Sequence, residues 1–418
     1  MARRRIVILS GNHLCNNPRV AKEAECLADA GFDVEVLGAA LRPDLAARDA
    51  ALPAARRFRF SPVVRLFGAN GRPTLHGHAL RAQRWCGTRV TRWLRRDQPW
   101  ALGYGVDALE GAARRCAADL YIAHSEAGLW VASRLARDGA RIGVDMEDWY
   151  SRDLLPEARR WRPLGLLARL EAAVLRVAAH RTCPSSSMSE ALARTFGVAP
   201  PTVIYNAFPW SDRARLDHQR LDRVAAVPSL HWFSQTIGPG RGLEDLLAAL
   251  PALAWDAEVH LRGTLSTAHR AWLEQRIPAT WRSRVFVHAV VPHAQLLSRI
   301  AEHDIGLALD CSTPPSRDLT VSNKVLHYLL AGVAVIASAT AGQVEISRAC
   351  PEGVRLYPPG NAPALAAAIN GLLGTTGALA RAREASLRAA QERYCWERIA
   401  PRLLASVEAA LSSPPPAR

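Results

Sequence analysis

Only two lysines occur among the 53 basic residues of this 418-residue chain, Lys22 and Lys324. Arginine supplies all the remaining positive charge. A lysine that persists in such a background either survives by chance or sits where a compact ammonium serves and a planar fork does not. Lys324 lies in Ser322-Asn323-Lys324-Val-Leu-His327-Tyr-Leu-Leu-Ala-Gly332, a polar loop that opens a helix. The first turn of a helix offers unpaired N–H groups and the positive end of the dipole, which together hold a diphosphate. Lys324 adds a full charge there and lies one turn from His327, on a face they can share. The plainer alternative is a packed helix with a solvated lysine.

A second cluster is Thr236-Ile-Gly238-Pro-Gly240-Arg241-Gly242, between an apolar strand and a helix. Glycines let backbone N–H groups approach a phosphate, and Arg241 can neutralise it near the helix start. Such a turn also occurs as a purely structural link. In the first half, Ser10-Gly11-Asn12 follows the first strand, and His124-Ser125-Glu126 follows a later one. Glu147 and Asp148 end a third, where they can bind hydroxyl groups or cap the following helix.

The elements that must position these residues alternate. Arg5–Leu9 reads as a buried strand, Val20–Ala30 as a helix and Val34–Leu37 as the next strand. Leu120–Ala123, Arg141–Met146, Arg181–Cys183 and Thr202–Tyr205 read as further strands, with a long amphipathic helix over Leu164–Ala179. Ser187-Met-Ser-Glu190 has the spacing of a capping box. After a pattern-poor stretch the alternation resumes with Leu230–Phe233, Ala257–Arg262, Val285–His288, Ile305–Leu309 and Val333–Ala337. Helices over Pro363–Leu373, Ala378–Arg393 and Trp396–Leu411 close the chain, and the tail from Ser412 is expected to be disordered. Short strands alternating with helices imply parallel sheets covered on both faces. The predicted domains are therefore 1–206, a linker 207–229, and 230–395, with the helix 396–411 returning to the first domain.

The composition, 49% apolar and 22% charged, is that of a folded globular protein. The net charge of +15 permits nucleic acid, an anionic membrane or phosphorylated substrates as partners. Eight cysteines are scattered without metal-like spacing, which points to a reduced, cytoplasmic protein. No signal peptide is read at the N-terminus. The uncharged stretch 325–344 reads as a helix followed by a strand rather than a membrane span. From Arg81 to Arg96 there are six arginines, Trp85 and Trp93, and no acidic residue. That stretch reads as an ordinary surface helix or as a segment for an anionic membrane surface; nucleic acid is disfavoured because no binding module accompanies it.

The lysine segment resembles the donor-binding helix of the retaining glycosyltransferases with the GT-B fold, the group akin to glycosyltransferase family 4 that serves bacterial envelope polysaccharides. Asn17-Pro18-Arg19-Val20-Ala-Lys22-Glu23 is similar to the first helix of many members. Asp119-Leu-Tyr-Ile-Ala-His124 is similar to the strand that ends in their cleft histidine. Val203-Ile-Tyr-Asn206 and Ala341-Gly342-Gln-Val-Glu345 extend the likeness. The resemblance implies two Rossmann-like domains facing each other across a cleft, and transfer of a sugar from a nucleoside diphosphate sugar to a saccharide or lipid-linked acceptor, with retention.

It also implies roles. Arg241 and Lys324 would stabilise the leaving diphosphate, and His124 would contact the transferred sugar or the acceptor hydroxyl. Gly11, Asn12, Thr236, Gly238, Ser322, Asn323, His327 and Glu345 would bind the donor. Glu126, Glu147 and Asp148 would bind the acceptor. No cofactor or metal is implied beyond the donor, and localisation at the inner face of the cytoplasmic membrane is expected. Two departures stand out. His327 and Leu319 occupy the positions of the family's glutamate pair, leaving Asp318 or Glu345 to supply a ribose acceptor. Thr236 replaces an expected arginine. A sugar-nucleotide epimerase of the same fold, or an inactive sugar-nucleotide-binding partner subunit, remain alternatives.

Overall fold

A computed structural model describes residues 3–52, 56–159, 161–224 and 226–413; of the tail expected to be disordered, residues 414–418 lie outside these. The chain divides into two compact units, Met1–Pro184 with Ser189–Ile204 and Ala400–Arg418, and Ser185–Met188 with Tyr205–Ile399. Residues 207–229 thus fall within the second unit. The C-terminal helix Trp396–Ser412 is divided at residue 399.

The first unit contains β1 (Arg5–Leu9), β2 (Asp33–Ala40), β3 (Arg59–Arg65), β4 (Leu120–Ala123), β5 (Ile142–Asp145), β6 (His180–Cys183) and β7 (Thr202–Val203). They form one sheet in the order β3-β2-β1-β4-β5-β6-β7, and every pairing is parallel. Ile6 to Leu9 are fully buried, as expected for a central strand covered on both faces. The second unit contains β8 (Ser229–Thr236), β9 (Glu258–Thr264), β10 (Val285–His288), β11 (Ile305–Ala308), β12 (Ala334–Ser338) and β13 (Val354–Tyr357). Its order, β10-β9-β8-β11-β12-β13, is also wholly parallel. Both orders are doubly wound. The chain reverses its direction of travel between β1 and β4, and again between β8 and β11, so the loops at those carboxyl ends diverge and leave room for a ligand.

Local chemistry sets the helix starts. The first helix begins at Pro18 rather than Val20, because the Asn17 side chain accepts from Val20 N and proline suits the first turn. The expected capping box shifts by two residues. Ser185, not Ser187, caps the helix Ser186–Phe196 through Met188 N at 3.0 Å, and Glu190 pairs outward with Arg194. The stretch 325–344 is the helix Asn323–Ala331 followed by β12. Among the described residues no single helix is long and apolar enough to cross a membrane.

One feature of the second sheet escaped the sequence pattern. Leu230 and Trp232 of β8, with Val259 and Leu261 of β9, face an apolar core. The alternate positions carry His231 and His260, and His288 ends β10. Together with His303 these four rings form a polar layer. His231 stacks on His303 at 4.5 Å, His260 lies 4.6 Å from His303, and His260 Nδ1 is 3.0 Å from His288 Nε2. Glu258, Arg262, Asp222, Arg299, Glu302, Arg223 and Asp304 complete it. Asp222 ion-pairs with Arg262, its N–H donates to Glu302 at 2.8 Å, and Arg223 meets Asp304 at 3.0 Å. Residues 217–224 are thereby tied to the sheet by charge rather than by apolar packing, which is why they look patternless in sequence.

Burial, the leading cause in each case, holds all four histidines below their ordinary range. A group that is neutral when folded but titrates near 6.5 when unfolded takes up its proton on unfolding. The stability it contributes is complete above about pH 6.5 and is lost as the pH falls below it. Each histidine that stays neutral should cost about 1.4 kcal/mol at one pH unit below its unfolded value. Denaturant unfolding at pH 7.5 and 5.5 should show this loss, and His303→Gln should remove about a quarter of the difference.

Candidate functional site

In the second unit the switch point lies between β8 and β11, and five of the residues singled out by sequence, Thr236, Gly238, Arg241, Ser322 and Lys324, lie around it. The turn after β8 needs glycine at two places. Gly240 and Gly242 have φ of +72° and +77°, and a Cβ on Gly242 would come within 2.5 Å of the Leu309 side chain. That close approach seats the turn on the loop leaving β11, where Cys311 Sγ lies 3.7 Å from Gly240 O. Arg241 projects from the turn and donates to Ser234 Oγ at 3.0 Å. Thr236 ends β8, and Gly238 packs against the His269 ring so closely that any Cβ would clash.

The loop after β11 leads to the helix Asn323–Ala331. Ser322 caps it, accepting from Lys324 N at 3.4 Å. Lys324 Nζ donates to Asp310 Oδ1 at 2.9 Å, and Gln343 Nε2 reaches Asp310 Oδ2 at 3.3 Å. Burial alone would raise the Asp310 carboxyl, but Lys324, Ser322 and Arg317 hold it below the usual range. Arg241, Lys324, the glycine turn and a capped helix N-terminus thus occupy adjacent loops of one sheet. Two cations beside the capped start of a helix at a strand end are chemistry that can hold an anion.

The other expected donor residues are more committed. Asn323 Oδ1 accepts from Asn206 Nδ2 at 3.0 Å. His327 is 7% exposed, and its ring stacks on Phe208 at 3.6 Å while Nδ1 donates to Asn323 O at 2.9 Å. His293 and Leu297 join His327 and Phe208 around a recess of about 90 Å³. Glu345 accepts from Ser186 N and Ser187 N at 3.2 and 3.0 Å, capping the helix that starts there. Its carboxylate is engaged with backbone, as is that of Asp318, which accepts from Ala341 N at 3.3 Å.

In the first unit the switch point lies between β1 and β4. Gly11, at φ +62°, and Asn12 follow β1, and His124 follows β4. His124 is fully enclosed, with Nε2 2.6 Å from Glu23 Oε2. Expected at a sugar, it instead meets a carboxylate delivered by the first helix. Arg19, one turn earlier on that helix, grips Asp145 with two bonds of 2.8 and 3.0 Å and donates to Ile204 O at 2.7 Å. Asn17 donates to both oxygens of Glu147, at 3.0 and 3.2 Å. Glu126 ion-pairs with Arg162. The adjacent Asp148 is only half-buried, and it too engages other groups. The expected acceptor carboxylates Glu126 and Glu147 are therefore partnered within their own unit, and Arg19, Glu23 and Asp145 had no place among the expected site residues.

Burial would lower the His124 pKa, but Glu23, Asp145 and Glu147 outweigh it and raise it to about 9. Burial raises the Glu147 carboxyl, with Asp145 adding to the effect and His124, Arg19 and Asn17 opposing it. Glu23, His124 and Asp145 lie close enough to hold a metal ion. Asp145, however, already spends both oxygens on Arg19, whose positive charge opposes a cation there.

Comparison with known proteins follows this geometry. Residues 19–209 match the model of Glycosyltransferase Family 4, and residues 228–375 match that of Glycosyl transferases group 1. No curated protein matches the sequence. The sucrose-phosphate synthase of Thermosynechococcus elongatus is similar over 98% of this chain and 100% of its own, with a TM-score of 0.70 and 18% identity. Anabaena HepE in complex with UDP is similar over 97% of this chain and 100% of its own, with a TM-score of 0.68 and 16% identity. A UDP-forming α,α-trehalose-phosphate synthase of Burkholderia xenovorans covers 99% and 100%, with a TM-score of 0.66 and 14% identity. At these identities the likeness establishes the fold, the two-domain GT-B arrangement of Rossmann-like sheets.

The His124–Glu23 pair has a direct readout. Its folded pKa lies above the unfolded value, so the pair stabilises at low and neutral pH and weakens as the pH rises through about 9. In an NMR titration of the ring protons His124 should lose its proton near that pH, and Glu23→Gln should lower the midpoint by about one unit or more.

Proposed function

Since the chain belongs to the GT-B glycosyltransferases, we propose that it moves a hexose-type sugar from a nucleoside diphosphate donor to a saccharide or lipid-linked acceptor in envelope polysaccharide assembly, with retention of anomeric configuration. One observation carries the donor assignment: Lys324 stands in the first turn of a capped helix, beside the Arg241 glycine turn, at the β8/β11 switch point. The bond between the anomeric carbon and the phosphate oxygen breaks, and the diphosphate leaves with the electron pair. The acceptor hydroxyl oxygen bonds to the same carbon from the same face, and its proton passes to the departing diphosphate. Negative charge grows on that diphosphate as the bond breaks. Preorganised cations and helix N–H groups are worth most at that moment. The ammonium has three donors, so Lys324 can keep Asp310 and still serve a phosphate oxygen. HepE was solved with UDP and with UDP-glucose, which makes a uridine diphosphate sugar the first donor to test.

Lys324→Ala should slow transfer by roughly 2–4 kcal/mol in the barrier, the scale of losing one transition-state donor. Steady-state assays with a panel of sugar nucleotides, alongside isothermal titration, measure it. Transfer at the normal rate in that variant would remove the assigned role. Conversion of the donor into its epimer without acceptor would replace transfer by epimerisation, and donor binding without acceptor-dependent release of nucleotide would indicate a binding subunit.

The acceptor class draws on the helix Leu75–Trp93. Trp85, Trp93 and Leu94 are 56%, 69% and 64% exposed, and Trp161 lies 3.9 Å beneath the Arg92 guanidinium. Arg89 covers the Trp85 ring at 3.5 Å. Exposed indoles among arginines, without an acidic residue in the helix, suit an anionic lipid interface and a lipid-linked acceptor at the inner face of the cytoplasmic membrane. Sedimentation with phosphatidylglycerol vesicles should capture the protein, and phosphatidylcholine vesicles should not. Arg95→Ala and Arg96→Ala should each weaken binding by about 1 kcal/mol, and equal binding to both vesicles would overturn the membrane assignment.

A further inference from the structure

We propose that Asp310 is a positioning residue for transfer, holding the Lys324 ammonium where the diphosphate departs; this rests on the assignment of Lys324 to the donor. A carboxylate at an anion site is a paradox in plain electrostatics, because it repels the ligand that the site collects. The structure nevertheless surrounds it with support. Asp310 N donates to Ser338 Oγ at 2.8 Å, and Gln343 Nε2 reaches Asp310 Oδ2 at 3.3 Å, Ser338 Oγ at 3.2 Å and Thr340 Oγ1 at 3.2 Å. Gln343, Ser338 and Thr340 are fully buried. Gln343, from the helix Ala341–Ala349, therefore holds the carboxylate itself, Ser338 at the end of β12 holds its backbone, and Thr340 helps to orient Gln343.

That carboxylate in turn fixes Lys324 Nζ at 2.9 Å, with the lysine side chain 14% exposed. A lysine has a long flexible stem, and an ammonium that wanders stabilises developing charge poorly. The Asp310 anchor uses one donor and leaves two for phosphate oxygens. The neighbouring Arg241 needs no such anchor from a carboxylate, since its bond is to the neutral Ser234 hydroxyl.

The positioning role separates binding from catalysis. Removing a negative charge next to a diphosphate strengthens donor binding, whereas releasing Lys324 lowers kcat. Asp310→Asn keeps the shape and one oxygen. It should lower kcat about tenfold or more while the donor KM stays level or falls. In a Lys324→Ala background the same substitution should change kcat by no more than about twofold, because the residue acts through the lysine. Unfolding curves of both proteins are recorded in parallel. If Asp310→Asn fails to fold, Asp310→Glu, which moves the charge by one methylene, must show the same loss and the same dependence on Lys324. A normal kcat in the folded variant overturns the proposal, as does an undiminished loss without Lys324. Full activity of Lys324→Ala alone overturns the donor assignment instead, so the two failures are distinguishable.

Discussion

The ion pair between Lys324 and Asp310 depends on a constraint set by the order of strands. A doubly wound sheet sends its chain one way from β8 toward β10 and the other way from β11 toward β13, so only there do adjacent strand ends carry loops that diverge. The glycine turn leaves from β8 and the Asp310 loop from β11. Gly242 must lack a side chain because Leu309 lies against it. A cation placed anywhere else on this sheet would meet a helix covering the face. At the switch point it meets diverging loops and the start of a capped helix, and that is where both cations stand.

The first unit repeats the topology but fills its switch point differently. Arg19 and Glu23 project from one helix face, four residues apart, and reach Asp145 and His124 at the ends of β5 and β4. Two pairs of opposite charge, nearly wholly buried, give little net stability once desolvation is counted. They do fix geometry: Arg19 joins Asp145 to the Ile204 carbonyl, where the chain leaves β7. Removing one member would strand a buried charge, so the cluster constrains the register of the first helix against three strands at once.

The alternation of apolar runs and helical stretches was enough to read two parallel sheets, and the residues at most strand ends followed from it. The placing of Lys324, Arg241, Gly238 and Ser322 in loops and a helix start beside strand ends was legible, because the local strand, loop and helix pattern sets it. Asp310 was not, being fourteen residues from Lys324 and identical in type to any surface aspartate. Glu23 and His124 are a hundred residues apart, and nothing in the pattern pairs them. The histidine layer was missed for a related reason. His231 and His260 sit in strands whose apolar partners alone carry the period, and a polar side chain facing inward reads as one facing water. Glu345 shows how backbone amides compete for a carboxylate. Its position in the chain suits a ligand carboxylate, yet the free amides at the start of the helix Ser186–Phe196 claim it first. A helix N-terminus attracts any anion within reach, whether ligand or side chain.

The near absence of lysine sharpens what the remaining basic side chains do. Arg19 makes two parallel bonds to one carboxylate and a third to a carbonyl, a task only a planar fork performs. A lysine there would leave at least one buried acceptor unpaired. Lys324 faces the reverse demand. It holds one carboxylate through a single bond from the confined first turn of a helix, and in the proposed role it also turns two N–H groups toward the donor. A guanidinium would engage both oxygens of Asp310 and direct the rest of its fork along the same plane. The charge would survive such a replacement, but the directions of its donors would not. In a sequence that replaces lysine with arginine almost everywhere, that difference in direction is a sufficient physical reason for this lysine to remain.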